Sequence, residues 1–203
     1  GLEEETDKTR PSGDVDLSAY SAAQLAALEP AKLSDDELVV AYRTAVQVDA
    51  PAVANQFADQ LTRRDSAASK IDMTVVFKRL ITETLQGRLK GNLTELIALG
   101  RAFDQRQYEG REQATFDYLE ARSQVSAGHK EEGLASLKKL STSHPDRLDV
   151  VASAVETLLS LGAYGDAKEM AEIGLSRAES KRNSDLQARF KDYLQEAAGR
   201  AKK

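Results

Sequence analysis

The chain of 203 residues is 41% hydrophobic and 30% charged, contains no cysteine or tryptophan, and has a formal net charge of −5 at pH 7. The lack of cysteine excludes disulfides, thiol nucleophiles and cysteine metal sites. No apolar run approaches the roughly 20 residues that cross a bilayer, and the abundance of Ala, Leu, Glu, Lys and Arg favours helices. We therefore expect an all-α protein of about eight or nine helices that does not insert into a membrane.

The first 16 residues are predicted to form a flexible acidic spacer. Residues 3–5 are all glutamate and residues 11–13 read Pro-Ser-Gly, a composition that cannot bury a core. The sequence begins with Gly1 rather than Met, which fits either the removal of an upstream signal, anchor or membrane helix, or a trimmed cytosolic protein. The first interpretation is slightly preferred and would place the protein in a bacterial cell envelope.

Residues 17–110 are predicted to form helical hairpins. Ser34 and Glu37 make a capping box, so a helix is expected to begin at Asp35. Pro51 then begins the second helix of this hairpin, because proline is well tolerated in a first helical turn.

Further helices are predicted in the second half of this region. One begins at about Asp72 and is expected to end by Gly91 in a left-handed stop. The next is expected to reach Phe103, and another to begin near Glu109, after a polar stretch.

Two later stretches repeat each other at a spacing of 34 residues, with small or apolar residues at four matched positions. The matched pairs are Gly128 and Gly162, Gly133 and Ala167, Leu137 and Ala171, and Leu140 and Gly174. Small residues recur where two helices approach closely, so the spacing predicts stacked helical hairpins. A larger side chain at Ala167 would force its helix away from the neighbouring one.

The repeat resembles the tetratricopeptide repeat over about residues 114–179. In that family a glycine turn leads into a helix whose small residue packs on its partner, and a proline such as Pro145 marks the next repeat. The resemblance implies an α-solenoid of stacked antiparallel helical hairpins, with repeats and a C-terminal capping helix in residues 111–203 and degenerate or unrelated helices elsewhere. The alternative is a pair of separate helical domains.

The resemblance also implies a concave surface lined by the first helix of each repeat. The residues expected there for partner binding are Tyr118, Arg122, Val125, Asp149, Ser153 and Glu156. Such a groove suits an extended or helical segment of another protein. The alternative interpretation is that these side chains are only helix surface.

The sequence offers no catalytic, metal or cofactor motif. His129 and His144 are its two histidines, and since they flank predicted turns without metal-site spacing, we expect both to be exposed to solvent. Gly91 and Gly162 belong to no phosphate-binding loop, which needs several spaced glycines after a strand. Basic residues near the C-terminus alternate with acidic ones, which argues against nucleic-acid binding. We expect no cofactor and no enzymatic activity.

The expected function is that of a non-enzymatic protein-interaction module or assembly scaffold with an unidentified protein or peptide partner. The alternative is a helical accessory domain of a larger enzyme or cell-envelope complex, with a mainly structural role. The last helix carries an apolar stripe that is expected to cover the preceding hairpin, or alternatively to pair with a second copy in a homodimer. The stripe consists of Leu186, Phe190, Tyr193, Leu194 and Ala197.

Overall fold

The computed structural model describes residues 16–64 and 72–201, and all regular structure in these ranges is helical. The all-α prediction is confirmed, with ten α-helices in the described ranges rather than eight or nine. The α-helices are α1 (Ala22–Ala26), α2 (Asp35–Gln47), α3 (Pro51–Arg63), α4 (Met73–Leu85), α5 (Leu93–Tyr108), α6 (Gln113–Ser126), α7 (Lys130–Ser143), α8 (Leu148–Ser160), α9 (Tyr164–Ser180) and α10 (Ser184–Arg200). Two 3-10 helices, Leu17–Ala19 and Pro30–Lys32, flank α1. The predicted spacer lies outside the described residues except for Asp16, which caps the first 3-10 helix.

The chain divides into two compact units, residues 1–110 and 111–203. In the first unit, helices begin where side chains satisfy free backbone N–H groups. The capping box of α2 is confirmed: Ser34 Oγ accepts from the Glu37 N–H at 3.2 Å, and the Glu37 carboxylate accepts from the Ser34 N–H at 2.7 Å. Pro51 is the first residue of α3, as predicted.

The core of the first unit includes an aromatic cluster formed by three helices. The ring of Phe77 lies between those of Tyr42 and Phe103, with centroid separations of 5.3 and 5.2 Å. All three side chains are almost completely buried. Arg43 of α2 also forms an ion pair with Glu83 of α4 at 2.9 Å. Aromatic packing and this ion pair therefore connect α2 to α4.

The predicted left-handed stop at Gly91 is wrong. Helix α4 ends at Leu85, and the residue with positive φ after it is Gly87, at +71°. Gly91 instead packs against its neighbours, because a Cβ built on it would lie 2.7 Å from both Leu96 Cδ1 and Thr84 Oγ1. Gly91 is thus closely packed by neighbouring side chains and does not adopt a left-handed backbone.

The predicted helix start near Glu109 is also wrong. Helix α5 continues through the polar stretch after Phe103 to Tyr108, and Glu109 ends it with a left-handed φ of +54°. The next helix begins only at Gln113. Asp104 is 2% exposed, so its side chain belongs to the inside of the unit rather than to a loop.

The second unit contains α6 to α10, and three of its connections share one turn geometry. A single residue with positive φ occupies the centre of each three-residue turn: Gly128 at +90°, Gly162 at +76° and Arg182 at +55°. The N–H of the residue that follows bonds to the carbonyl five residues before it, as in a Schellman motif. These turns reverse the chain after α6, α8 and α9.

The helices of the second unit enclose one hydrophobic core. Helix α8 contacts all four other helices, and α7 also contacts α9. Gly133 of α7 lies so close to α6 that an added Cβ would be 2.4 Å from Val125 Cγ2 and 2.9 Å from the Ala121 carbonyl oxygen. Ala167 of α9 is fully buried. The backbone contact therefore leaves no room for a Cβ at Gly133, and the need for a small residue at Ala167 stays a prediction.

The apolar stripe of α10 packs on this same core. Phe190 is fully buried, and its ring would lie 2.4 Å from a Cβ at Gly174 of α9. Leu186, Tyr193 and Leu194 are partly buried against the core. The chain's own helices therefore cover the stripe. A homodimer through the stripe would require α10 to leave this core, and it stays a prediction.

Candidate functional site

Three helices of the second unit contribute polar and aromatic side chains to a common surface, which we name the α6–α8–α10 face. Contacts between these side chains join α6 to α8 and α8 to α10. Most of the side chains are half-exposed. The face consists of Tyr118 and Arg122 on α6, Ser153, Glu156 and Thr157 on α8, and Arg189 and Tyr193 on α10.

Tyr118 connects α6 to α8. Its hydroxyl oxygen lies 2.9 Å from Thr157 Oγ1, and the Thr157 hydroxyl donates to the Ser153 carbonyl at 3.0 Å. Because the Thr157 proton is used in that way, Tyr118 donates to Thr157. The guanidinium carbon of Arg122 lies 5.7 Å from the centre of the Tyr118 ring, within cation–π range. Both ends of the tyrosine are thus fixed.

Glu156 connects α8 to α10. One carboxylate oxygen, Oε2, accepts from Arg189 Nη2 at 2.9 Å and from the Tyr193 hydroxyl at 3.2 Å. Arg189 Nε donates to the Tyr193 hydroxyl oxygen, and the Arg189 guanidinium lies over the Tyr193 ring. Burial raises the pKa of the Tyr193 phenol, which keeps its hydroxyl protonated as a donor. The three side chains form a closed set of hydrogen bonds.

Asp149 lies at the N-terminal end of α8 and is held by an ion pair within the unit. Arg147 donates to both of its carboxylate oxygens at 3.1 Å and also to Thr115 Oγ1 of α6 at 3.2 Å. Partial burial opposes ionisation, but the hydrogen bonds and charge of Arg147 hold the pKa of Asp149 below its usual range. The carboxylate is therefore ionised and already paired.

Four of the six expected binding residues lie on this face: Tyr118 and Arg122 on α6, and Ser153 and Glu156 three residues apart on α8. The hydrogen bond between Tyr118 and Thr157 joins the two helices there. The other two expected residues are placed differently. Asp149 is occupied by Arg147, and Val125 packs on Gly133 of α7, so it faces the neighbouring helix instead of the surface.

Sequence reasoning missed three residues of the face. Thr157, Arg189 and Tyr193 were not among the expected residues, and Tyr193 was assigned only to the apolar stripe. The available signal was helical spacing, since Ser153 and Thr157, like Arg189 and Tyr193, are four residues apart and share a helix face.

The two histidines differ from each other. His129 is exposed, as expected. The expectation for His144 is wrong: its side chain is 17% exposed and its Nε2 lies 2.6 Å from Asp117 Oδ2. The end of α7 carries His144 against α6, where this pair closes the hairpin. Within residues 16–64 and 72–201, no group of three or more acidic or histidine side chains is arranged to hold a metal ion.

No helix within the described ranges combines the length and the apolar character needed to cross a bilayer. Comparisons with protein-family models, curated proteins and solved structures find no significant match to this chain. What the protein does must therefore be inferred from its own residues.

Proposed function

We propose that residues 111–203 form a tetratricopeptide-like, non-enzymatic module that binds a segment of another protein on the α6–α8–α10 face. The observation that carries this proposal is the set of half-exposed tyrosine and arginine side chains held in fixed orientations there. Tyr118 is fixed by Thr157 and Arg122, and Tyr193 by Arg189 and Glu156.

The repeat pattern supports the proposed architecture. The left-handed glycines Gly128 and Gly162 are 34 residues apart and close turns with the same hydrogen bonds. Helices α7 and α9 also begin 34 residues apart. In stacked repeats of this kind, the first helices of successive hairpins line a continuous surface, and α6, α8 and α10 hold the corresponding positions in the chain.

The residue types of the face suit protein recognition. Tyrosine and arginine are enriched at interface hot spots, because each offers a large contact area together with a polar end. Their orientations are already set by contacts within the chain, so binding would lose less side-chain entropy. A face of this kind can gain affinity from a small number of contacts.

The charges of the face indicate the chemistry of the partner. The carboxylate of Glu156 is paired with Arg189. The guanidinium of Arg122 contacts the Tyr118 ring and forms no ion pair with another described residue. A partner segment with an acidic side chain would pair with Arg122 while an apolar side chain packs on Tyr118. We therefore propose a segment that contains an acidic residue beside an apolar one.

Affinity capture with the full chain from an extract of the source organism, read by quantitative mass spectrometry, tests this proposal. Tyr118→Ala and Arg122→Glu should each lose the partner that the unchanged chain retains, with affinity for that partner falling at least tenfold in calorimetry. Truncation of a hot-spot side chain typically costs about 2 kcal/mol or more of binding free energy, which accounts for such a change in affinity.

Lys168→Glu provides the matched control, because Lys168 is an exposed cation on α9, outside the face, and its one ion pair, with Glu172, is 3.7 Å long. This variant should bind as the unchanged chain does. Circular dichroism melting of all variants separates lost binding from lost folding. If Arg122→Glu and Lys168→Glu retain the same partners with equal affinity, the face is not a binding site and the accessory-domain alternative gains support.

A further inference from the structure

The first unit contains a cavity of about 110 Å³ between the α2–α3 turn and the segment that leads into α5. A space of this kind holds one water once it reaches about 10–15 Å³, so the cavity is large enough for several waters or for one small organic group. Its polar lining includes Tyr42, Asp49, Lys90 and Glu95, and its apolar lining includes Val46 and Leu96.

Two oxygen groups of the lining lack partners. Tyr42 is 1% exposed, its ring is packed on Phe77, and its hydroxyl forms no hydrogen bond with another residue of the described ranges. Glu95 Oε1 is buried and likewise has no hydrogen-bond partner there. A buried carboxylate oxygen without a partner costs free energy and requires an explanation. Here both atoms belong to residues that line the same cavity.

The Tyr42 hydroxyl and the Glu95 carboxylate interact electrostatically but form no hydrogen bond with each other. Burial, with a contribution from the charge of Glu95, raises the pKa of Tyr42. A phenol hydroxyl and a carboxylate that line one cavity and stay unbonded leave room for a third group that donates hydrogen bonds to both. The lining contains two carboxylates, those of Asp49 and Glu95, and one cation, Lys90. Because negative charge is in excess, the site favours a positively charged donor.

We propose that this cavity binds a primary alkylammonium group. The ammonium donates to the Glu95 carboxylate and to the Tyr42 hydroxyl oxygen, and the alkyl chain packs on Val46 and Leu96. An ammonium fits because it carries three donors and no acceptor, and an alkyl chain fits because the wall also includes the apolar side chains of Val46, Pro51 and Leu96. The same chemistry is available from a free alkylamine or from a lysine side chain of another protein.

Nuclear magnetic resonance titration of the full chain tests the proposal, with n-butylammonium as the probe and 1-butanol as its uncharged counterpart at constant ionic strength. Butylammonium should cause saturable shifts of the Gly91 and Glu95 amides, and 1-butanol should not. Equal shifts with both probes would mean that the alkyl chain alone is recognised, and no shift with either would mean that neither probe enters the cavity. Either result would overturn the proposal. A second titration with Nα-acetyl-lysine amide distinguishes a free alkylamine from a lysine side chain. Tighter binding of butylammonium indicates a free alkylamine, and tighter binding of the lysine derivative indicates a lysine side chain of another protein.

Glu95→Gln should weaken butylammonium binding at least tenfold. The matched control is Asp36→Asn. Asp36 is an exposed acidic residue in the first turn of α2, and Glu95 is the acidic residue in the first turn of α5. Both changes remove a negative charge that stabilises a helix N-terminus. Only Glu95→Gln removes a carboxylate that lines the cavity. Equal binding by the two variants would refute the proposed role of Glu95.

Tyr42→Phe separates ligand binding from a structural role. Removing the hydroxyl should weaken butylammonium binding while leaving the free energy of unfolding without ligand unchanged or higher, because the lost hydroxyl has no hydrogen-bond partner among the described residues. A structural hydrogen bond would give the opposite result, lower stability without ligand. That outcome, with butylammonium binding retained, would contradict the assignment.

Discussion

Tyr42 combines excellent packing with an unpaired hydroxyl. Its ring belongs to the aromatic cluster with Phe77. The residue lines the same cavity as Glu95, whose charge adds to the effect of burial on the pKa of Tyr42. The side chain therefore favours the neutral form more strongly in the folded protein than in the unfolded chain. This difference connects the protonation of one residue to the stability of the first unit.

We expect stability to fall above about pH 10, and Tyr42→Phe to reduce that fall. An unfolded tyrosine ionises near pH 10, whereas the raised pKa keeps Tyr42 protonated in the folded state. The unfolded state then binds fewer protons, so the free energy of unfolding decreases with rising pH by up to about 1.4 kcal/mol per unit. Below pH 10 the contribution of Tyr42 is fully present.

Urea unfolding at pH 8, 10 and 11 measures this slope. The pKa of Tyr193 is also raised, but Tyr193 is present in both the unchanged chain and Tyr42→Phe. The difference between the pH slopes of these two proteins therefore isolates the contribution of Tyr42. Parallel curves for the unchanged chain and for Tyr42→Phe would show that the tyrosine titrates alike in the folded and unfolded states.

At the scale of helices, close packing depends on a few small residues. An added Cβ at Gly133 of α7 would lie 2.9 Å from the backbone oxygen of Ala121 on α6, and a backbone atom cannot move aside without shifting its helix. At Gly165 of α9 no atom lies within 4 Å of the same added Cβ. The two glycines are both near the start of a helix, yet only the first is needed for packing.

Gly133→Ala should destabilise the protein, and Gly165→Ala should stabilise it by about 0.4–1 kcal/mol, because alanine restricts the unfolded chain. At Gly133 the same gain is outweighed by overpacking, which costs about 1–3 kcal/mol. Urea midpoints of the two variants provide the measurement. A midpoint for Gly133→Ala at or above that of the unchanged chain would mean that α6 and α7 can separate at little cost.

Sequence patterns located most helices because caps and apolar periods are local. Ser34 and Pro51 marked helix starts correctly. The errors arose where tertiary contacts override local preference. A left-handed backbone costs most residues about 1–2 kcal/mol, so Glu109 and Arg182, both with positive φ, give no sequence signal, and the packed Gly91 gives a misleading one.

The candidate face was only partly predictable for a related reason. The tetratricopeptide resemblance placed Tyr118 and Arg122 on one surface of α6, and their spacing of four residues fits a common helix face. The contact of Glu156 with Arg189 and Tyr193 joins residues 33 and 37 positions apart, and it depends on how α10 packs on α8. Spacing within one helix does not determine that angle.

At the scale of the whole molecule, two compact units have different cores. The first unit contains the contact of Phe77 with Tyr42 and Phe103. The core of the second unit is mainly aliphatic and includes the fully buried Phe190. Each unit buries a large aromatic side chain whose removal would leave a cavity in one core only.

Phe77→Ala and Phe190→Ala should each destabilise one unit, by about 3–5 kcal/mol, the usual cost of removing a buried phenylalanine. Hydrogen exchange of the native full chain, read by mass spectrometry, should show faster exchange in residues 16–64 and 72–110 for Phe77→Ala, and in residues 111–201 for Phe190→Ala. Exposed Val75→Ala, at a residue that is 54% exposed, is the control and should change exchange little. Faster exchange throughout the chain in both core variants would mean that the units unfold as one cooperative body, because local and global opening then share a single free energy.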